Sequence, residues 1–294
     1  MDFSLIPQGI VSGLLLGCIY ALVATGLTMI FGVMRVLNLA HGEFVMLGMY
    51  LAYGIVVATG MDPYLSWVVT IPALGLLGAA VYAGLVGPVL RRGDENSPIV
   101  LTVGLLLVLQ NLVVFFLTGN VRGLSSAYQF MSIKLAPIVI VSVPLLIGAI
   151  GSVVATVLLF LFLRRTEMGL ALRAVAARPG SAPLVGINVQ HVFIVAFSIS
   201  SGCAGLAATL LVPAYPFSPI TGGQYTLTAL LVVILGGLGN YAGALVGALI
   251  LGVTQSVAVL YLSDGVASSV VLCMVIAVLL LRPQGLFSTG AVRA

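Results

Sequence analysis

The sequence predicts an all-α polytopic membrane protein, organised as a single transmembrane domain over residues 1–294. Of its residues, 61% are hydrophobic and only 6% are charged, whereas soluble domains carry about 25% charged residues. No charged residue occurs in 179–263, a stretch long enough for several crossings at about 20 helical residues each. A transmembrane barrel would alternate apolar and polar residues in stretches of about ten, and that pattern is missing. We therefore expect eight or nine transmembrane helices.

Basic residues predict the orientation, because Lys and Arg accumulate in the cytoplasmic loops of membrane proteins. Residues 164–187 carry four arginines and one acid, so we expect this segment in the cytoplasm and the N-terminus outside. Residues 224–235 are too short for a full span, which predicts a half-helix, a re-entrant segment or a count that is wrong by one. The predicted crossings are 8–33, 43–60, 64–90, 98–118, 137–163 and 190–212, followed by an odd number in 223–281.

Two segments interrupt the apolar pattern, one from Arg35 to Glu43 and one from Gly236 to Gly243. Polar or irregular backbone at membrane depth is tolerated only where it is buried in protein or lines a cavity. Paired interruptions of this kind indicate the substrate path of a transporter, and ordinary glycine-rich turns are the alternative. The candidate path residues are Asn38, His41, Gly42, Glu43, Gly236, Gly237, Gly239 and Asn240.

Each break is followed by a helix with small residues at four-residue spacing, which lets helix backbones approach closely. These residues are Gly48 and Ala52 after the first break, and Gly243 and Gly247 after the second. Polar residues within the apolar spans are expected to hydrogen-bond to neighbouring helices rather than to contact substrate. They are Gln110, Asn111 and Gln255.

Neither break suggests catalysis, a metal site or a cofactor. His41 and Glu43 are two residues apart and point to different faces of a helix, and no zinc signature surrounds them. A Walker loop needs a lysine after its last glycine, but the one lysine of the chain, Lys134, follows Ile133. Any ATP hydrolysis would require another polypeptide. The net charge of +4 is attributed to cytoplasmic loops rather than to nucleic-acid binding.

The basic segment 164–187 is more ordered than a connection requires. Its composition favours a helix from Gly169 to Ala177, which Pro179 and the following glycine break. A short segment from Ser181 to Val185 then closes at Gly186. A docking platform for a cytoplasmic partner is one interpretation, and a basic helix lying on the bilayer surface is the other.

The stretch GCIYALVATGLTMIFGVMRVLNLAHGEF at 17–44 resembles the opening of branched-chain amino acid ABC permeases of the LivH type. The resemblance continues through 166–188, 236–247 and 282–287, and covers nearly the whole chain. It implies a permease subunit that imports branched-chain or other hydrophobic amino acids across the bacterial cytoplasmic (inner) membrane. The partners it implies are a homologous second permease subunit, two cytoplasmic ATPase subunits and a periplasmic or lipid-anchored solute-binding protein.

The resemblance also implies that 164–187 is the segment that couples the permease to its ATPase. The candidate coupling residues are Gly169, Arg173, Arg178, Pro179, Leu184 and Gly186. One departure is the stretch RPGSAP at 178–183, which has an extra proline and lacks the acid of the Asn-Pro-Glu-Ala-like stretch typical of the family. The alternatives left open are a permease for urea or short amides in the same family, and an ion-coupled secondary transporter or channel. An intramembrane enzyme would need a nucleophile with a base, or metal ligands at proper spacing.

Overall fold

The fold is a bundle of apolar helices with one small β-hairpin. The computed structural model describes residues 5–92, 97–124, 129–136 and 139–287. The helices are α1 Ile6–Met34, α2 His41–Thr59, α3 Trp67–Val81, α4 Gly87–Leu90, α5 Ser97–Leu117, α6 Val143–Arg165, α7 Glu167–Ala177, α8 Val189–Leu211, α9 Thr221–Gly236, α10 Tyr241–Tyr261 and α11 Asp264–Leu281. Strands β1 Ser132–Ala136 and β2 Val139–Ser142 pair antiparallel.

Eight helical segments within the described ranges are long and apolar enough to cross a membrane. The helix α9, with 16 residues, is about 24 Å long at 1.5 Å per residue, short of a hydrocarbon core about 30 Å thick. The prediction of eight or nine transmembrane helices is confirmed. If α9 is counted, α9 to α11 provide the odd number of crossings expected for the last part of the chain.

Two predicted spans have different boundaries in the structure. The span predicted at 137–163 begins at Val143, because the Val- and Ile-rich residues before it pair with β1 as a strand. Pro144 then occupies the first turn of α6, where its missing N–H costs nothing. The span predicted at 64–90 is interrupted, with a 3₁₀ turn at Pro63–Ser66 and a π-helical turn at Tyr82–Val86 on either side of α3.

The order of the predicted crossings places the N-terminus and the loops after α5 and α8 on one side of the membrane, and two pairs of contacts lie in these parts of the chain. The side chain of Gln8, near the N-terminus, exchanges two hydrogen bonds of 2.7 Å with the backbone of Ile140 in β2. Arg122 and Phe217 exchange two backbone hydrogen bonds of 2.8 Å, which joins the loop after α5 to the loop after α8. These contacts agree with the predicted common side, and the assignment of that side to the exterior stays a prediction.

The centre of the bundle consists of α1, α2 and α8. The most apolar windows of α1 and α8 are 72% and 67% buried, whereas those of α5 and α11 are only 17% buried. The two poorly buried helices therefore form the outside of the bundle, where they face lipid or other chains.

Sequence reasoning missed the most extensive helix pair of the described structure, α1 against α10. Gly9, Gly13 and Gly17 follow one another at four-residue spacing and contact α10 along its length. A Cβ at Gly13 would lie 2.5 Å from the Cα of Val253, and one at Gly252 would lie 2.5 Å from the Gly13 carbonyl oxygen. The same small-residue spacing that was noticed after the two breaks could have identified this contact.

Candidate functional site

The first break lies inside the bundle rather than at its surface. Helix α1 ends at Met34, and Arg35 adopts a left-handed conformation (φ +56°) while its N–H donates to the Phe31 carbonyl at 2.8 Å. The chain then runs without helix to His41, where α2 begins without a side-chain cap. Asn38 is 1% exposed, and Glu43 is fully buried. The break predicted at 35–43 is therefore confirmed, with Asn38, His41 and Glu43 enclosed by protein and Arg35 exposed.

His41 joins α2 to α1 and α8. Its Nε2 lies 3.0 Å from the Val23 carbonyl oxygen, and because a carbonyl only accepts, Nε2 is assigned the proton. The Ser200 hydroxyl donates to the Gly26 carbonyl at 2.8 Å and lies 3.5 Å from Nδ1 of the same ring. A Cβ at Gly26 would lie 3.1 Å from the ring, so this glycine provides the space for the imidazole.

Gly42 and Glu43 face α9. The Gly42 N–H donates to the Thr226 hydroxyl at 2.9 Å, and a Cβ on Gly42 would collide with the Gly222 carbonyl oxygen. The Glu43 carboxyl group lies directly against the Cα of Gly222. Sequence reasoning missed both α9 residues. The signal was present as a Gly-Thr pair at four-residue spacing in the first two turns of α9.

Two buried polar groups at this break lack hydrogen-bond partners among the described residues. Neither carboxyl oxygen of Glu43 is hydrogen-bonded, and neither is Nδ2 of Asn38. The Asn38 Oδ1 accepts from the Ala40 N–H at 3.1 Å, so only one end of that side chain is satisfied. A buried unpaired polar or charged group is costly. An ionisable residue inside a membrane protein, such as Glu43, is by default a candidate functional residue.

The second break is a tight turn in which polar groups are satisfied. Gly237 and Gly239 have φ values of +102° and +80°, which glycine adopts without a Cβ penalty. The side-chain Oδ1 of Asn240 caps α10 by accepting from the Gly243 N–H at 3.0 Å, and the Nδ2 of the same side chain donates to the Phe287 carbonyl at 2.6 Å. A Cβ on Gly236 would collide with Gly243. Close packing therefore explains the glycines of this break.

Helix α1 contacts both breaks at different points along its length. Gly26 contacts His41 of the first break, and a Cβ at Gly32 would lie 3.8 Å from the Cα of Gly239 in the second. The eight candidate path residues thus form two sites beside one helix. The first is polar and incompletely satisfied, and the second is a packed turn.

The basic segment 164–187 forms the helix α7 followed by a 3₁₀ turn at Ala182–Val185. Thr166 caps α7 by accepting from the Gly169 N–H at 3.0 Å, so the helix begins at Glu167, two residues before its predicted start. A Cβ on Gly169 would lie 2.5 Å from the carbonyl oxygens of Phe162 and Leu163. This glycine therefore allows α7 to pack against the end of α6.

The two faces of α7 differ. Leu172 and Val175 are buried against the bundle, whereas Arg173, Arg178 and Pro179 are exposed. The helix ends at Ala177, immediately before the RPGSAP stretch, so that stretch is not part of α7.

The tip of this segment has the predicted form. The short turn closes at Gly186 with φ +81°, and the Ile187 N–H donates back to the Ala182 carbonyl at 3.2 Å. Leu184 is 86% exposed. The segment therefore presents an exposed apolar tip beside exposed arginines, and the capped helix α7 and the hydrogen-bonded turn hold both in place.

A separate cavity of about 1080 Å³ lies between α3, α6 and α8. Its lining is mainly apolar, and it includes neither the candidate path residues nor a charged side chain. Among the described residues, no group of three His, Cys, Asp or Glu side chains is placed to hold a metal ion.

A helical bundle with eight or nine apolar crossings, a polar break buried at its centre and a projecting basic segment defines an integral membrane transport protein. The chain belongs to the family of permease components of branched-chain amino acid transport systems, which matches residues 9–280. It is thus a translocation component and a multi-pass membrane protein, located in bacteria in the inner membrane.

The chain is similar to several characterised permeases. The high-affinity branched-chain amino acid transport system permease protein LivH of Escherichia coli (strain K12) is 32% identical, over 95% of this chain and 94% of its own length. The corresponding protein BraD of Pseudomonas aeruginosa is 29% identical over the same shares. The ribose import permease protein RbsC of Bacillus subtilis is 28% identical over 84% of this chain and 75% of its own. No solved structure matches the chain.

Proposed function

We propose that this chain is the transmembrane permease subunit of an ATP-driven importer for branched-chain or other hydrophobic amino acids. A periplasmic or lipid-anchored solute-binding protein delivers the substrate, a homologous second permease subunit completes the path, and two cytoplasmic ATPase subunits supply the energy. The family membership and the names of LivH and BraD support this assignment.

The structure of segment 164–187 is the main observation that supports an ATP-driven importer. A self-contained transporter has no need of a capped helix and a rigid turn that hold an exposed Leu184 beside Arg173 and Arg178. Exposed apolar residues rimmed by polar ones mark protein contacts. In this proposal the segment docks on the ATPase, and Gly169 and Gly186 shape it while the exposed residues make contact.

The opening step of the path is assigned to the contact between α2 and α9. Here the backbones touch at Gly42 and Gly222, and the Glu43 carboxyl group has no hydrogen-bond partner in the part of the chain that the structure describes. A shift of α9 away from α2 would expose the Glu43 carboxyl group to the path, which removes the cost of burying it unpaired. The second break stays rigid during this motion.

Reconstitution tests the proposal against its alternatives. The chain is placed in liposomes with candidate ATPase, second permease and binding-protein subunits from the same organism, and leucine, urea and ribose uptake are compared. We expect ATP-dependent leucine uptake. Uptake by this chain alone, driven by an ion gradient, would establish a secondary transporter instead, and preference for urea would establish the amide alternative.

Charge reversal in the docking segment tests the coupling role. Arg173→Glu should lower ATPase co-purification and uptake at least about tenfold. An ATPase surface that is complementary to Arg173 is negatively charged, and it would repel a glutamate at this position. Lys134→Glu, on the exposed β-hairpin, is the matched control and should change neither. If Arg173→Glu behaves like the control, Arg173 is not part of the coupling surface.

A further inference from the structure

The helix α5 lies at the edge of the bundle and presents a broad unpartnered face. Its buried side is formed by Thr102, Leu105 and Val113. On the opposite side, Val108 and Phe115 are 55% and 80% exposed. An apolar face is compatible with contact to lipid alone. A polar residue on that face is therefore the feature that indicates a protein partner.

Asn111 lies on this exposed face, where lipid cannot satisfy it. Within the described structure its amide donates to the Leu107 carbonyl of its own helix at 2.8 Å. The residue is six positions from the end of α5, about 9 Å below that end. The side chain retains a second N–H and a carbonyl oxygen, and hydrocarbon offers neither donor nor acceptor.

The prediction that polar residues within spans bond to neighbouring helices is met by Gln255 but not by Asn111. The Tyr20 hydroxyl donates to the Gln255 Oε1 at 3.2 Å, from α1 to α10. Asn111 has no such contact inside the described chain, and the neighbouring helix it lacks would come from another molecule.

The spacing of the exposed residues is that of a helix-pairing seam. Gly104, Val108, Asn111 and Phe115 follow one another at intervals of four, three and four, as do the core positions of a two-stranded coil. A Cβ on Gly104 would meet nothing within 4 Å, so packing inside this chain does not require a glycine there.

The other outer helix, α11, lacks this combination. Its exposed hydroxyls, Ser268 and Ser269, lie in its first two turns and donate to the carbonyls of Asp264 and Gly265. Apart from Asp264 in its first turn, its other exposed side chains are apolar, as expected for contact with lipid.

We propose that the α5 seam is the surface through which this chain pairs with the homologous second permease subunit, and the inference rests on the function proposed above. The partner presents its own equivalent helix across a two-fold or pseudo-two-fold axis. An Asn amide both donates and accepts, so Asn111 pairs with a polar side chain at the same depth in the partner. A single polar residue in an apolar seam also fixes the register of the pair.

Site-specific cross-linking in membranes tests the surface. Cys18, Cys203 and Cys273 are first replaced by alanine. Single cysteines are then placed at seam positions 104, 108, 111 and 115, off the seam at 103 and 114, and on α11 at 270 and 276. Each is labelled with a thiol-reactive photo-cross-linker in the assembled transporter, and the captured chain is identified by mass spectrometry.

We expect the seam positions to capture a permease chain at least about fivefold more efficiently than the other positions. Equal capture from all faces, capture mainly from α11, or a captured protein that is not a permease would overturn the inference. Leucine uptake by the unlabelled variants reports separately on the proposed function, since it depends on the whole transporter rather than on the cross-link.

A second measurement isolates Asn111. Asn111→Leu should weaken subunit association about 3- to 20-fold, the range measured for single interhelical hydrogen bonds in membranes. The dissociation constant of the permease pair is measured by dilution in detergent. Val103→Leu, off the seam on the same helix, should leave association unchanged. If both variants associate like the native chain, Asn111 makes no contact with the partner.

Discussion

The two breaks in the bundle look alike in sequence but differ in physical character. At 35–43 the chain buries a carboxyl group and part of an amide that have no hydrogen-bond partners among the described residues, against a helix backbone that leaves no room for a side chain at Gly222. At 236–243 the glycines allow a turn with left-handed backbone, and Asn240 links that turn to both α10 and Phe287. The difference indicates that an interrupted apolar run has two meanings. One is a buried site whose polar groups lack hydrogen-bond partners among the described residues, and the other is a closely packed turn between two helices.

The largest expected effect is at the α2–α9 contact. Gly42→Ala should destabilise the protein by about 3 kcal/mol and lower uptake at least about tenfold, because its Cβ would collide with Gly222. The free energy of unfolding is measured by SDS titration and uptake in liposomes. Gly223→Ala is the control, since a Cβ there meets nothing within 4 Å. Native-like behaviour of Gly42→Ala would mean that the two helices are not held in contact.

The next effect separates function from stability. Glu43→Gln keeps the shape of the side chain, so the free energy of unfolding should change by less than about 1 kcal/mol, since burying a neutral amide is no costlier than burying a carboxyl group. Uptake should fall at least about tenfold if the carboxyl group serves the path. Unchanged uptake would remove Glu43 from the path and leave it a packing residue.

Asn240→Ala provides the complementary result at the second break. The loss of the α10 cap and of the bond to Phe287 should cost about 1 to 2 kcal/mol in the free energy of unfolding. Uptake per folded molecule should stay within about twofold of the native value, because the turn is structural in this account. A large fall in uptake without a loss of stability would assign the second break to the path and would abolish the contrast.

The smallest effect concerns the turn backbone. Gly239→Ala should cost about 1 kcal/mol, because alanine is strained at φ +80°. Gly265→Ala, in the first turn of α11 with open space around it, should change stability by less than about 0.5 kcal/mol. Equal effects of the two substitutions would indicate that the turn relaxes freely.

Local signals explain how much of this structure the sequence predicted. Apolar runs and their gaps predicted the crossings, and Pro179 with the following glycine predicted the end of α7. These features depend on composition over a few turns of chain. The β-hairpin was missed because its second strand is as apolar as the span it precedes, and apolar runs of that length do not distinguish a strand from a helix.

The partners within the candidate site could not be predicted from local patterns. Glu43 contacts Gly222, and His41 contacts Val23 and Ser200, across separations that only the packed bundle defines. The sequence identified which residues were unusual for a membrane span. It did not identify that the second break would be satisfied and the first would not, because that depends on which atoms the fold brings near them.

The close contact of α1 with α10 has a consequence for the biogenesis of the protein. Its two glycine-lined faces are separated by most of the chain, so α1 enters the membrane long before its main partner exists. At synthesis rates of about 5–20 residues per second, Gly17 waits roughly 10 to 50 s before the N-terminus of α10 is made. During that interval the groove along α1 is accessible to lipid, insertion factors or other nascent chains. The last fifth of the polypeptide, which contains α10, is therefore needed to complete the packing of the first helix.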